Sequence, residues 1–291
     1  MPVHLVLRLM APFASAGTVA GEETRPTAEV PTRSMVLGLI GNAMGFDRTC
    51  EADMERLNRL QAATQFSAII LSTSGLWVDV QNNRVPSASL KRTHFKPKEL
   101  SQPGDVTDRL LAGGRISDHP LAYGIGDKKE AENVRDLLHK ASRQRSKQYL
   151  TGLHALVALS PHSNWPEPPE RLVAALRQPA RSLWIGRKNC PPSAPICLLQ
   201  PLIEATSGPA ALLRALGDLE SEQDGFGDNN GPAILWWEGL PEAGGSEATS
   251  LKIRGGFPTS IVDRRDWVQG LHTDASTLLR GTVAIPGRPD A

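Results

Sequence analysis

The chain has 291 residues, of which 40% are hydrophobic and 22% are charged. This composition is typical of a globular protein and argues against extensive disorder. No stretch approaches the roughly 20 apolar residues that a membrane-spanning helix needs, and the first residues lack the pattern of a secretory signal. Three cysteines, Cys50, Cys190 and Cys197, cannot form a disulfide framework and do not cluster with histidines. We therefore expect a cytoplasmic protein without a membrane, metal or cofactor requirement.

The charges are distributed unevenly, although the net charge is only +1. Residues 82–147 contain 14 Lys and Arg against 8 Asp and Glu, whereas residues 218–247 contain 8 Asp and Glu and no Lys or Arg. This asymmetry is typical of a protein that binds a polyanion on one surface and keeps a separate acidic region. Solvated loops of opposite sign would give the same pattern.

Hydrophobic periodicity predicts the core elements in chain order. Residues 3–10 alternate in polarity as a strand does, and residues 33–44 carry an apolar stripe at helical spacing behind Thr32, a favourable N-cap. Gly38 and Gly41 in that helix indicate close packing against a sheet. The remaining core elements are predicted as strand 66–71, strand 148–159, a Pro-initiated helix 166–177 and strand 182–185.

The order strand, helix, strand, strand, helix, strand is that of the ferredoxin-like fold found in RNA-recognition modules. The predicted class is therefore α+β, with a βαββαβ core over residues 1–186. Residues 76–147 interrupt this core as a long basic insertion after the second strand, with a strand at 76–80 and a short helix at 129–141. Residues 187–291, which include the acidic stretch 218–247, are predicted to be an irregular extension with a helix at 210–219 and strand candidates at 234–237 and 251–254.

Two groups of residues favour contact with phosphates. The first surrounds the N-terminus of the predicted helix, where backbone N–H groups and the helix dipole attract anions. The second is a basic turn after the predicted strand 182–185, which we expect to approach the same side of the sheet. The first group comprises Arg25, Thr27, Thr32, Arg33 and Ser34, and the second comprises Arg187, Lys188 and Asn189.

The sequence supports a catalytic function less well than it supports phosphate binding. The phosphate-binding patterns GxGxxG and GxxxxGK[ST] are absent. Cys190 follows two cations that would lower a thiol pKa, but a packed structural cysteine explains it better. Metal-independent RNA cleavage needs only a base, an acid and a cation, which His94, Lys147 or Tyr149 would supply. The alternative is phosphate contact without chemistry.

Several segments form a recognisable ordered pattern along the chain: Leu7–Pro12, Arg25-Pro26-Thr27, Pro31–Gly41, Gln148–Thr151 and Leu183–Pro191. Taken together, they resemble the CasD family, the Cas5 subunit of the type I-E CRISPR Cascade complex, within the RAMP superfamily. The match covers roughly residues 1–80 and 145–197, and residues 251–267 fit the closing segment more loosely.

This resemblance implies a ferredoxin-like core whose insertion at about 76–147 is a thumb, with Lys91, Arg92 and His94 near its contact face. It implies a non-catalytic RNA-binding subunit in antiviral defence. The expected partners are the 5′ handle of the CRISPR RNA, the backbone subunit whose filament it caps, and the large subunit that it helps to seat, with target DNA reached through the complex. Two alternatives remain: a metal-independent endoribonuclease that processes CRISPR repeat RNA, and a protein–protein adaptor.

Overall fold

The computed structural model describes residues 1–18, 24–84, 142–162, 164–221, 232–238 and 251–284. Within these ranges the chain forms four helices and nine strands. The helices are α1 (Arg33–Ala43), α2 (Glu51–Ala63), α3 (Pro169–Arg177) and α4 (Gly208–Ser221). The strands are β1 (Val3–Ala14), β2 (Thr24–Arg25), β3 (Thr64–Ser72), β4 (Gly75–Arg84), β5 (Ser142–Pro161), β6 (Cys197–Glu204), β7 (Ala233–Trp237), β8 (Ile253–Asp266) and β9 (Leu271–Val283).

One sheet organises the α+β fold, and its strands follow the order β6-β1-β5-β3-β7-β9-β8, with β2 and β4 also paired to β5. Its neighbouring strands are antiparallel along this path. Val157 lies at the centre, opposite Leu7 on one side and Ala68 on the other. The predicted strands 3–10, 66–71 and 148–159 are confirmed as parts of β1, β3 and β5.

Both faces of the sheet are covered by helices. Helices α1, α2 and α3 pack on the face that carries Leu7 and Val157, and together they form the larger hydrophobic cluster. Helix α4 packs on the opposite face, where Leu156 and Leu235 meet its Leu212 and Leu216. Neither face is therefore open over the centre of the sheet.

Helix α1 begins as predicted, because the Thr32 hydroxyl accepts a hydrogen bond from the Met35 backbone N–H at 3.4 Å. Gly38 and Gly41 of this helix do not pack against the sheet as the sequence analysis expected. A Cβ atom at Gly38 would lie 3.2 Å from the Trp267 ring, and one at Gly41 would lie 3.0 Å from Leu57 on α2. These glycines therefore allow α1 to approach a tryptophan and another helix rather than the sheet.

Two parts of the predicted core order are wrong. Residues 182–185 do not form a strand: the Ile185 N–H donates to the Cys190 carbonyl at 2.8 Å, which closes a turn. The sheet position expected for them belongs to β6, further along the chain. Helix α2 was not predicted, because only Met54, Leu57, Leu60 and Ala63 of its residues are buried and the rest of its sequence is polar.

The region after residue 187 is not irregular, which corrects the sequence-based expectation. Strands β6, β7, β8 and β9 extend the same sheet, and α4 covers one face of it. The predicted helix 210–219 and strand 234–237 are confirmed as α4 and β7, and only residues 253 and 254 of the candidate strand 251–254 belong to a strand, the much longer β8. Most of the acidic stretch 218–247 lies outside the described residues.

The chain divides into two compact units. One contains Met1–Gly21, Arg25–Val78 and Gln148–Ala291, and the other contains Glu22–Thr24 and Asp79–Lys147. Most of the predicted insertion, including the helix expected at 129–141, lies outside the described residues. In the described ranges, none of the helices combines the length and apolarity that crossing a membrane requires.

A buried cluster of charges connects α1 to the C-terminal strands. Arg33, the first residue of α1, is buried and forms an ion pair with Glu238, directly after β7. Its Nε lies 3.9 Å from a carboxylate oxygen of Asp263 on β8, and its Nη1 donates to the Thr64 carbonyl at 3.2 Å. Burial lowers the pKa of Arg33 to about 10, against the opposing effect of Asp263, so the guanidinium keeps its charge at neutral pH.

We expect Arg33→Leu to destabilise the fold by about 3–5 kcal/mol, because it leaves two carboxylates without their buried counter-charge. Urea unfolding measures the effect, and Arg33→Lys, which keeps a charge, should lose less. Arg25→Leu is the matched control: Arg25 is exposed, and its replacement should change stability by less than about 0.5 kcal/mol. Equal stability of the Arg33→Leu and Arg25→Leu variants would contradict the structural role of the cluster.

Candidate nucleic-acid interface

The basic turn at residues 186–190 is fixed against the end of β1. Gly186 has a φ of +95°, and a Cβ atom there would collide with the Ser15 carbonyl oxygen. The Ser15 N–H donates to the Ile185 carbonyl at 3.1 Å, and the Cys190 N–H closes the turn onto the Arg187 carbonyl at 2.9 Å. Glycine is therefore required at position 186 both for its conformation and for its lack of a side chain.

Arg187 connects this turn to two other segments. Its Nη1 donates to the Gln148 carbonyl at 2.9 Å and its Nη2 to the Arg25 carbonyl at 3.0 Å. Its guanidinium also lies over the Tyr149 ring, 4.8 Å from the centroid. The structure thus brings Arg25 and Arg187 together, as the sequence analysis expected for the two basic segments.

Three aromatic rings, those of Phe13, Trp77 and Tyr149, pack against one another, and the Tyr149 ring lies under the Arg187 guanidinium. The Trp77 centroid is 5.4 Å from that of Phe13 and 5.7 Å from that of Tyr149. Tyr149 is buried, and its hydroxyl accepts a hydrogen bond from Asn189 Nδ2 at 3.0 Å, whereas Phe13 is 39% exposed and Trp77 is 48% exposed. A surface that binds single-stranded nucleic acid usually combines exposed aromatic rings for base stacking with cations for the phosphates. We call Phe13, Trp77, Arg25, Arg187 and Lys188 the aromatic–arginine surface.

Thr27 is a structural residue of this region. Its hydroxyl accepts a hydrogen bond from the Ala16 N–H at 2.8 Å, and its own N–H donates to Gln148 Oε1 at 3.3 Å. These bonds hold the segment that carries Arg25 against β1 and β5. Lys188 and Asn189 are exposed in the neighbouring turn.

The other predicted phosphate contacts at the start of α1 are wrong. Thr32, Arg33 and Ser34 are all buried: Thr32 caps the helix, Ser34 lies 3.4 Å from the Thr32 hydroxyl, and Arg33 is neutralised by carboxylates. A phosphate outside the protein does not reach them. Lys91, Arg92 and His94, the remaining predicted RNA contacts, lie outside the described residues.

The family model described as "CRISPR-associated protein (Cas_Cas5)" matches residues 4–259. The chain belongs to the Cas5 family of CRISPR-associated proteins. It is 27% identical over 229 residues to the CRISPR system Cascade subunit CasD of Escherichia coli (strain K12), an alignment that covers 77% of this chain and 83% of the relative. The resemblance to CasD inferred from the sequence is confirmed.

Solved structures share the fold of this Cas5 chain. One, titled "Crystal structure of Cas protein", has a TM-score of 0.51 at 17% identity and covers 99% of this chain and 98% of its own. Another, titled "CRISPR RNA-guided surveillance complex", has a TM-score of 0.52 at 17% identity and covers 99% and 93%. The similarity to both extends over nearly the whole Cas5 chain.

The residues considered for RNA cleavage occupy structural positions where they are described. Lys147 Nζ donates to Gln81 Oε1 at 2.7 Å, and Tyr149 is packed under Arg187 with its hydroxyl bonded to Asn189. His94 lies outside the described residues. Within the described ranges, no three His, Cys, Asp or Glu side chains come together as metal ligands would.

Sequence reasoning missed Phe13, Trp77 and Gln148 as components of this region in the Cas5 chain. Phe13 lies near the end of β1 and Trp77 near the start of β4, where an aromatic residue is usual in any strand. Phe13 and Trp77 form a candidate site because they are exposed and lie next to each other, and this arrangement depends on the pairing of β1 and β4 with β5. The only sequence signal was that both positions lie at strand ends.

We expect Gly186→Ala to destabilise this Cas5 protein by at least about 1–3 kcal/mol, because the added methyl group meets Ser15 and the backbone conformation becomes strained. Gly17→Ala is the matched control: it lies in the adjoining segment, has open space around it and has no positive φ. Urea unfolding of the two variants makes the comparison. A Gly186→Ala protein as stable as the Gly17→Ala protein would refute the close approach.

We also expect Cys50 and Cys190 to differ in reactivity towards a thiol reagent. Cys50 is exposed, whereas Cys190 is buried and its burial raises the pKa of its thiol. Since the thiolate is the reacting form, Cys50 should be labelled rapidly at neutral pH and Cys190 only after unfolding. Mass spectrometry of labelled peptides measures both rates, with labelling in urea as the control. Labelling of Cys190 at the rate of Cys50 would contradict this assignment.

Proposed function

We propose that this Cas5 family protein is a non-catalytic subunit of a type I-E Cascade complex and that its aromatic–arginine surface binds the 5′ handle of the CRISPR RNA. The observation that carries the proposal is the pair of exposed rings, Phe13 and Trp77, packed against Tyr149, the ring over which the Arg187 guanidinium lies. Similarity to the Cascade subunit CasD and to a CRISPR RNA-guided surveillance complex supports the assembly.

The chemistry of this surface suits single-stranded RNA. Unstacked bases bind to aromatic and guanidinium planes, and each base–aromatic stack contributes about 1–3 kcal/mol. Phe13 and Trp77 offer the ring surfaces, and Arg25 and Lys188 offer exposed cations for phosphates. Residues 171–203, which include the basic turn, contain no Asp or Glu to oppose this charge.

The proposed fold is a ferredoxin-like core with a thumb. Strands β6, β1, β5 and β3 lie side by side in that order, and α1 and α3 pack on the same face of them. This arrangement of four antiparallel strands and two helices supports the βαββαβ assignment. Pairing of β4 with β5, at the two ends of the segment around 76–147, supports a hairpin-based thumb that closes over the guide RNA.

The proposed partners follow from membership of Cascade. The subunit caps the filament of backbone subunits at the 5′ end of the guide, helps to seat the large subunit, and contacts target DNA only through the complex. The buried placement of Tyr149 and the raised pKa of Cys190 support a role without chemistry. Incubation of the purified protein with labelled repeat RNA, with no metal added, tests this: discrete cleavage products would favour the endoribonuclease alternative.

We expect Trp77→Ala to weaken binding of handle RNA by about five- to a hundredfold, the loss of one base stack. Trp77→Phe should retain part of the affinity, because it keeps a ring. Lys188→Gln should remove one phosphate contact and therefore reduce the slope of log affinity against log salt concentration by about 1. Fluorescence anisotropy with labelled handle RNA and a scrambled RNA of the same length measures the affinities.

The matched control is Leu76→Ala. Leu76 precedes Trp77 on β4, is 54% exposed and is apolar without being aromatic. It should leave RNA affinity unchanged. If the Trp77→Ala and Leu76→Ala proteins bind handle RNA equally well, the aromatic–arginine surface is not the handle site.

A further inference from the structure

The hairpin of β8 and β9 carries a second exposed aromatic and cationic patch. Register places Trp236 of β7 opposite Arg280 of β9, and Arg280 opposite Phe257 of β8, so the three residues form one row on one face of the sheet. The Arg280 guanidinium lies over the buried Trp236, 5.3 Å from the ring centroid. Phe257, at the outer end of the row, is 74% exposed.

A bulge in β8 adds a further cation to this face. Arg254 pairs with Thr282 and Phe257 with Arg280, with Gly256 as the extra residue between them. Because Thr282 and Arg280 are two residues apart on β9, their partners Arg254 and Phe257 point to the same side of the sheet. Gly255 and Gly256 at the bulge both have positive φ angles, a conformation that glycine adopts readily. We call Arg254, Phe257 and Arg280 the Phe257 patch.

The patch is accessible and uniformly basic. Helices α1, α2 and α3 cover this face over the centre of the sheet, where the larger hydrophobic cluster ends at Trp236, Ile261 and Leu278. Strand β8 is the last strand of the described sheet on this side. Residues 251–262 and 275–284 include Lys252 as well as the two arginines and contain no Asp or Glu.

We propose that the Phe257 patch binds a single-stranded nucleic acid, with a base stacked on Phe257 and phosphates held by Arg254 and Arg280. A protruding ring with cations on the same and the neighbouring strand matches the two needs of an unpaired polynucleotide, a stacking plane and neutralisation of phosphates. A duplex does not expose the base face that such a ring requires. The absence of carboxylates from these two segments gives the patch its charge complementarity to a polyanion.

The patch is separate from the aromatic–arginine surface. Tyr149 and Val157 are eight residues apart along β5. Val157 lies in register with Ala68 of β3, Trp236 of β7 and Arg280 of β9, which is three strands away from β5. With about 3.3 Å per residue and about 4.8 Å per strand spacing, the two places lie about 30 Å apart. One nucleotide cannot contact both. The inference therefore goes beyond handle binding and does not depend on it.

The test measures binding of uridine and thymidine homopolymers of about ten nucleotides, a length that one such site accommodates. It uses the full chain with Trp77→Ala, so that the aromatic–arginine surface does not dominate. In this background Phe257→Ala should weaken homopolymer binding by about five- to a hundredfold, and Phe257→Trp should restore it. Arg254→Gln should reduce the slope of log affinity against log salt concentration by about 0.7.

The matched control is Leu199→Ala. Leu199 is an apolar residue, 76% exposed, on β6 at the opposite edge of the sheet. Equal homopolymer affinity of the Phe257→Ala and Leu199→Ala proteins would overturn the proposal. So would a result in which Phe257→Ala and Arg254→Gln weaken binding of polyglutamate but not of the homopolymers, since the patch would then dock an acidic protein. Failure of Trp77→Ala to affect handle RNA would count only against the first surface.

Discussion

The buried charge of Arg33 is the constraint on which the arrangement of the two halves of the chain depends. An isolated buried guanidinium is too costly to remain charged without partners, and the partners here come from the last quarter of the sequence. Glu238 and Asp263 approach it only when β7 and β8 have joined the sheet. The first helix therefore cannot complete its packing until the C-terminal strands are in place, which makes those strands part of the core.

This dependence explains which parts of the fold were predictable from sequence. Alternation identified β1 and β5, the apolar segment 66–71 identified β3, and helical spacing with Thr32 identified α1, because these signals are local. The role of Arg33 was assigned wrongly for the opposite reason: an arginine behind a helix cap looks like an anion contact until its distant carboxylates are known. The turn at 182–185 was mistaken for a strand because Leu183, Trp184 and Ile185 are apolar, although Ile185 is buried by a turn rather than by a ladder.

Local sequence patterns predicted only part of the candidate interface. Arg25, Arg187 and Lys188 were found from charge and position, and the hydrogen bond from Arg187 to the Arg25 carbonyl brings the two segments together. Phe13 and Trp77 were not found, because their adjacency arises from three strands that meet at β5. Helix α4 covers one face of the sheet, and among the described residues the exposed rings lie near strand ends and on the outer hairpin.

The outer hairpin offers a choice between two physical explanations for its arginines. Edge strands often carry cations to prevent pairing with other chains, and Lys252, just before β8, and Arg254, on β8, would serve that purpose. Protection of an edge, however, gives no reason for a phenylalanine that is 74% exposed in the same row as Arg280, because an exposed aromatic on an edge promotes the association that the charges prevent. A ligand that uses both the ring and the cations resolves this conflict, and an unpaired polynucleotide uses both.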